Sequence, residues 1–145
     1  MTVMNMVQAI NSALASEMEA DDSVIILGED VGRAGGVFRV TDGLFERFGG
    51  DRVIDTPLAE SLIAGMATGM AMAGLRPVAE MQFMGFSYLA LSMIISHTAR
   101  MRNRSRGSYT VPMVMRMPYG AGVKALEHHS ESTESLYVQI PGLKV

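Results

Sequence analysis

Apolar residues recur at helical spacing at Met4, Val7, Ile10, Leu14 and Met18, which predicts an amphipathic helix over residues 4–20. "ADDS" breaks that pattern, and the unbroken apolar run Val24–Leu27 reads as a strand buried on both faces. "GEDVGRAGGVFRVT" (28–41) is glycine-rich loop, and "DGLFERFGG" is a short helix ended by its glycines. "RVIDTP" (52–57) reads as a strand leaving into a turn, followed by a helix over 57–74 with Pro57 suited to its first turn. "RPVAEMQF" is a strand, 86–104 a long helix, "VPMVMRMP" (111–118) a strand, "YGAGVKALEHHSES" a loop, and "STESLYVQIPG" ends in a short helix. The final "LKV" reads as the start of a further strand, so the chain is expected to be the front part of something longer.

Helices and short apolar strands alternate throughout, which predicts an α/β domain: a mainly parallel sheet with helices on both faces, a three-layer sandwich. Ligands of such sheets sit beyond the carboxyl ends of the strands. Three segments leave strands in this way, "GEDVG", "DTPLAE" and "EMQFMGF", and each places polar or aromatic residues where a ligand can reach them.

Composition narrows the picture without redirecting it. The 145 residues, 48% hydrophobic and 19% charged, suffice for one globular domain with a sizeable core. A net charge of -3 gives no whole-chain electrostatic case for nucleic acid. Without cysteine there are no disulfides or thiolate metal sites. The early residues lack the basic n-region of a secretory signal. The apolar stretch 81–96 has 16 residues, short for a membrane span, and is expected to be a buried helix.

Glu60 stands out. After it, the segment carries no charge until Arg76. An acid at a helix N-terminus has a structural explanation in the dipole and the free amides. A Thr-x-x-Glu capping box does not fit, because with Thr56 as N-cap the third helical position is Ala59. Neighbours on the same helical face, Ile63, Ala64, Ala67 and Ala71, are small or apolar, so that face is expected to be buried. Gly65 and Gly69 would permit close approach of another backbone. A carboxylate facing such packing loses hydration and needs either a proton or a hydrogen-bonding partner. The pattern leaves both readings of Glu60 open.

The ordered set "GEDVG", "GGVFRVT", "RVIDTPLAE", "AGLRPVAE", "HHSESTESLYVQIPGLKV" resembles the beta subunit of 2-oxoacid dehydrogenase E1 components, the pyruvate and branched-chain enzymes among them, over essentially the whole chain. The resemblance implies a thiamine-diphosphate-binding fold. Residues 1–145 would be the pyrimidine-binding, transketolase-like domain, and the C-terminal transketolase-like domain would be absent. The implied reaction is oxidative decarboxylation of a 2-oxoacid with acyl transfer to a lipoyl group. Implied partners are an alpha subunit in an alpha2beta2 heterotetramer and the E2 lipoyl acyltransferase, with no nucleic acid and no membrane, in the cytoplasm. Mg2+ would be held by the alpha subunit, whose Gly-Asp-Gly motif does not occur here.

By position, the resemblance makes Glu60 the acid that hydrogen-bonds N1′ of the aminopyrimidine ring and so promotes loss of the cofactor's C2 proton. Gln82 and Phe86 would line the pyrimidine pocket, with Leu58 touching the cofactor from the "TPLAE" turn. Glu29 would belong to a path of carboxylates and water linking two active sites; as plain structure it is a strand-end acid. His129 would be the active-site histidine beside substrate and lipoyl group, and a histidine's ordinary titration range suits it to accept or deliver a proton. His128 has no such role, and His97, deep in the expected long helix, reads as a packed core residue. Met113 falls at one backbone position of a monovalent-cation (K+) site. The four arginines of "ARMRNRSRG" suit a helix C-terminus or a subunit interface.

Two other readings compete. One is the pyrimidine domain of a transketolase or deoxyxylulose-phosphate synthase, which carries both cofactor domains on one chain. The other is a non-catalytic interaction module of the same fold. The fragment alone is expected to be inactive.

Overall fold

The structure, a computed structural model, describes residues 3–145. Helix α1 (Met6–Ala20) opens on a reciprocal cap: the Asn5 side chain accepts from the Gln8 amide (2.9 Å), and the Gln8 side chain accepts from the Asn5 amide (3.0 Å). Strand β1 (Val24–Gly28) follows, then a glycine-rich loop, α2 (Leu44–Phe48), β2 (Val53–Asp55), α3 (Glu60–Met72) and β3 (Arg76–Glu80). After β3 the chain winds as a 3₁₀ helix (Met84–Ala90), one turn α4 (Leu91–Met93), a π-helix (Ile94–Thr98) and α5 (Met101–Arg104). Strand β4 (Val114–Arg116), a short 3₁₀ turn (Ala121–Val123) and α6 (Ser135–Val138) complete it.

The four strands are all parallel in the order β2-β1-β3-β4. β1 lies fully buried at the centre, as its unbroken apolar run requires. One face of the sheet packs Val24, Ile26 and Val53 against Leu14, Ala15 and Met18 of α1 and Leu44 of α2. The other packs Leu27 and Ala79 against Ile63 and Ala67 of α3. The three-layer α/β architecture follows directly: helix, sheet, helix. Among the described residues no helix is long and apolar enough to cross a membrane.

Four expectations need correction. Helix α3 begins at Glu60 with Ala59 as N-cap, and exposed Pro57 lies outside it. The cause is the sheet: the Thr56 amide donates to the Gly28 carbonyl (2.9 Å), so Thr56 extends the strand edge and cannot cap a helix. The long helix expected over 86–104 is broken. Ser87 Oγ donates to the Met84 carbonyl (2.6 Å) within the 3₁₀ stretch, and the Ala99 amide reaches back five residues to Ile94 (2.9 Å) in the π stretch. The wider turn sets the Thr98 hydroxyl 2.7 Å from that of Thr68 on α3. His97 is exposed, not core, with its Nδ1 3.1 Å from an Arg104 guanidinium nitrogen. Of the two α3 glycines, Gly65 faces only the Met93 methyl and Gly69 open space, so no second backbone approaches them among the described residues.

Candidate functional site

Strand register sets the stage. Gly28 pairs with both Asp55 and Glu80, and Glu80 pairs with Arg116, so all four strands end on one row. The chain leaves β1 toward β2 on one side, and β3 joins β1 on the other. The crevice between the ends of β1 and β3 is therefore the switch point where parallel sheets bind ligands. Gly28 closes its floor, since a side chain there would meet the Glu80 carbonyl at 2.5 Å. The loop after β1 is held over this edge by Thr41 Oγ donating to the Val31 carbonyl (2.7 Å). Asp55 accepts from the Gly32 amide (2.6 Å).

Glu60 occupies the first turn of α3 at this edge, only 5% exposed. The predicted face of α3 is buried with it: Ile63, Ala64, Ala67 and Ala71 are all at or below 3% exposure. The Glu60 Oε2 has no hydrogen-bond partner among the described residues, nor does Thr56 Oγ1 four residues earlier. Two buried polar atoms on one strand-to-helix connection thus lack partners, which is costly unless a ligand supplies them.

Glu29 follows β1 and is half-buried. Its carboxyl is held above the ordinary range by burial first, then by the charge of Asp30 and then by that of Glu60. The structure therefore brings Glu29 within electrostatic reach of Glu60. Gln82, half-buried beyond β3, donates from Nε2 to Asp30 Oδ2 (3.2 Å), linking the ends of β3 and β1.

Phe86 and His129 also converge, 5.0 Å between ring centroids at 81°. Phe83, not among the expected site residues, packs against both. Its ring meets Phe86 (5.4 Å), His129 (4.7 Å) and Phe38 (5.5 Å), all edge to face. The signal was present: Phe83 and Phe86 are three apart in "QFMGF", and the intervening 3₁₀ turn stacks residues three apart on one side. His129 Nδ1 lies 2.7 Å from the Glu127 carbonyl oxygen. A carbonyl only accepts, so Nδ1 carries the proton and a neutral ring keeps its lone pair on Nε2. His128 beside it is exposed and takes a left-handed backbone, φ 65°.

Two predicted residues stand apart. Leu58 is 65% exposed, uncovered by the rest of the chain. Met113 precedes β4, at the amino end of its strand, and lines a different groove of about 800 Å³ with Met115, Met117, Tyr137 and Leu143. That groove includes none of Glu29, Glu60, Gln82, Phe86 and His129. Among the described residues no three His, Asp or Glu side chains are placed to hold a metal ion.

A second buried acid escaped the sequence reading. Glu80, at the end of β3, is 1% exposed and ion-paired to Arg116 of β4. Burial lifts its carboxyl above the ordinary range, against the opposing charge and hydrogen bond of Arg116. Their pairing depends on strand register across 36 residues, which spacing alone does not reveal.

Residues 2–145 match the family described as transketolase, pyrimidine binding domain. The chain is 55% identical over 145 residues to a pyruvate dehydrogenase E1 component subunit beta of Acholeplasma laidlawii. It is 53% identical over 145 residues to a 2-oxoisovalerate dehydrogenase subunit beta of Bacillus subtilis. A 3-methyl-2-oxobutanoate dehydrogenase subunit beta of Mycobacterium tuberculosis is 54% identical over 142 residues. These matches cover 100%, 100% and 98% of this chain but 44%, 44% and 41% of the relatives, so the chain spans less than half their length. A solved structure described as "Split gene transketolase, inactive beta4 tetramer" shares the fold, with TM-score 0.68 at 18% identity over 92% of this chain and 39% of that one. The chain belongs to the transketolase pyrimidine-binding domain family.

Proposed function

We propose that this chain is the pyrimidine-binding portion of the beta subunit of a thiamine-diphosphate-dependent 2-oxoacid dehydrogenase. The supporting observation is Glu60: a carboxylate 5% exposed, with an unpartnered Oε2, at the switch point of a parallel sheet. A ring nitrogen that shares a proton would supply the missing partner. The pyruvate and branched-chain dehydrogenase beta subunits among the relatives support the same reading.

The residues present fit the cofactor's aminopyrimidine. Glu60 would hold the proton at the ring nitrogen, and its dry setting strengthens that hydrogen bond. Phe86, backed by Phe83, would give the ring an apolar wall, and the Gln82 amide would fix its edge. Bound there, thiamine diphosphate would supply the carbanion chemistry that removes the substrate carboxyl group. Glu29, sharing the field of Glu60, would pass protons toward a second site. His129, its Nδ1 proton committed to the Glu127 carbonyl, would present Nε2 to accept or deliver a proton at the substrate.

The rim around the start of α3 fits a partner subunit. Leu58, Leu62, Tyr88 and Leu89 are 43–66% exposed, and Ser61 Oγ, bonded to the Leu89 carbonyl, draws the two segments together. The partner would be an alpha subunit bringing Mg2+, in an alpha2beta2 cytoplasmic enzyme that passes its acyl group to an E2 lipoyl acyltransferase. The Met113 carbonyl would be one ligand of a K+ site.

Glu60→Gln in the complete enzyme tests the reading. With thiamine diphosphate and a 2-oxoacid, kcat is expected to fall roughly 10²- to 10⁴-fold, the range of a positioned proton-transfer group. Undiminished activity would refute the role of Glu60 and the reading it carries.

A further inference from the structure

Gly85 lies between Phe83 and Phe86, in the 3₁₀ helix Met84–Ala90, and is buried. The loop bearing His129 runs directly over it. A Cβ placed on Gly85 would collide with the His128 carbonyl oxygen and lie 2.8 Å from the Glu131 Cγ. The main chain just before His129 and the side chain of Glu131 thus rest on a residue without a side chain.

Other contacts fasten the same loop to the same segment. The Met84 amide donates to the Pro118 carbonyl (2.8 Å), the Thr133 amide lies 3.1 Å from the Met84 sulfur, and Tyr88 OH reaches Glu131 Oε2 at 3.3 Å. Tyr137 OH donates to the buried Ser87 Oγ (2.5 Å). The Gly120 amide closes the loop's neck on the Glu131 carbonyl (3.0 Å). With these anchors fixed, the close approach at Gly85 decides where His128 and therefore the His129 ring sit. The His129 ring then meets both Phe83 and Phe86, and its Nδ1 proton meets Glu127.

We infer that Gly85 is a positioning residue: the missing side chain seats the His128 carbonyl against the 3₁₀ helix, which fixes the place and tautomer of the His129 ring. The inference rests on the proposed role of His129. It assigns to a glycine outside the proposed contact set a share in the same reaction.

The test is made in the complete enzyme with Gly85→Ala, Gly85→Ala with His128→Gly, and His129→Ala. His128 already holds a left-handed φ of 65°, so glycine there frees the carbonyl to swing away from an added methyl. Gly85→Ala is expected to raise hydrogen exchange across residues 126–131, including the His129 amide that now donates to Glu127 (2.8 Å). It should lower kcat roughly 10- to 100-fold, the cost of a displacement near 1 Å, with little change in the KM for the 2-oxoacid. The His128→Gly addition should recover part of that loss. Parent-like exchange and kcat in Gly85→Ala overturn the inference, as does a kcat loss with unchanged exchange at 126–131 and no recovery in the double variant. If Gly85→Ala alone does not assemble, the double variant decides: restored assembly supports the clash at His128, and failure to assemble overturns it. A fully active His129→Ala enzyme instead overturns the reading of His129, a result distinct from a rigid, fully active Gly85→Ala enzyme.

Discussion

Glu80 and Glu60 are both acids on the carboxyl edge of the sheet, and both are almost wholly shielded from water, at 1% and 5% exposure. Their surroundings differ in one respect. Glu80 has a guanidinium on the neighbouring strand, and even so burial outweighs that attraction and lifts its carboxyl above the ordinary range. Glu60 has no cation in contact, and its Oε2 meets no donor among the described residues. One acid is completed by the fold; the other is left for something that binds. Burial alone therefore does not mark a functional carboxylate. What marks it is burial together with an unmet hydrogen bond at a place where ligands of such sheets sit.

Breaking the completed pair should have the largest effect. Arg116→Met leaves Glu80 buried without its cation, a change that costs about 3–5 kcal/mol when the acid stays ionised. Hydrogen exchange at the β3 and β4 amides reads the loss near neutral pH. In acid the loss should shrink, because Glu80 can then take a proton and no longer needs a cation. A variant as stable as the parent at neutral pH would mean that buried Glu80 does not depend on Arg116. The partner experiment on Glu60 should have a smaller effect of opposite sign. Glu60→Gln replaces a buried carboxyl whose Oε2 has no partner among the described residues with a neutral side chain of the same shape, so stability is expected to hold or rise by up to about 1 kcal/mol while activity collapses. A destabilised Glu60→Gln would place Glu60 with Glu80, as a structural acid.

The contrast also explains what was legible beforehand. The unbroken apolar run revealed β1 because a central parallel strand is apolar on both faces, and hydrophobic spacing revealed the buried face of α3 from Ile63, Ala64, Ala67 and Ala71. Glu60 could be singled out because it is the lone charge at the start of that face. Glu80 could not, because its meaning depends on Arg116, and only sheet register joins them. The same holds for Gly85, whose importance lies in the His128 carbonyl far along the chain. Errors within elements were local competitions. Thr56 looked like a helix cap but was drawn into the sheet edge by the Gly28 carbonyl. Residues 86–104 looked like one helix, yet the Ser87 hydroxyl occupies a backbone carbonyl, and the π turn carries Thr98 to Thr68.

The smallest expected effect sharpens the comparison most, because it reads the charge of Glu60 itself. Glu29 is lifted above the ordinary carboxylate range by burial, by Asp30 and by Glu60, in that order. Its folded form holds a proton more tightly than the unfolded chain does, so its ionisation opposes folding. The stability linked to Glu29 is fullest below the unfolded value, falls as pH rises through the raised folded value, and is level above it. Removing the Glu60 charge removes the last of the three causes. In Glu60→Gln, the Glu29 carboxyl, followed by its carbon-13 resonance, should therefore titrate lower than in the parent yet stay above the ordinary range, because burial and Asp30 persist. The fall of stability with pH should become shallower to match. A Glu29 titration identical in parent and variant would show that Glu60 does not act on Glu29, and the two acids would then not share one site.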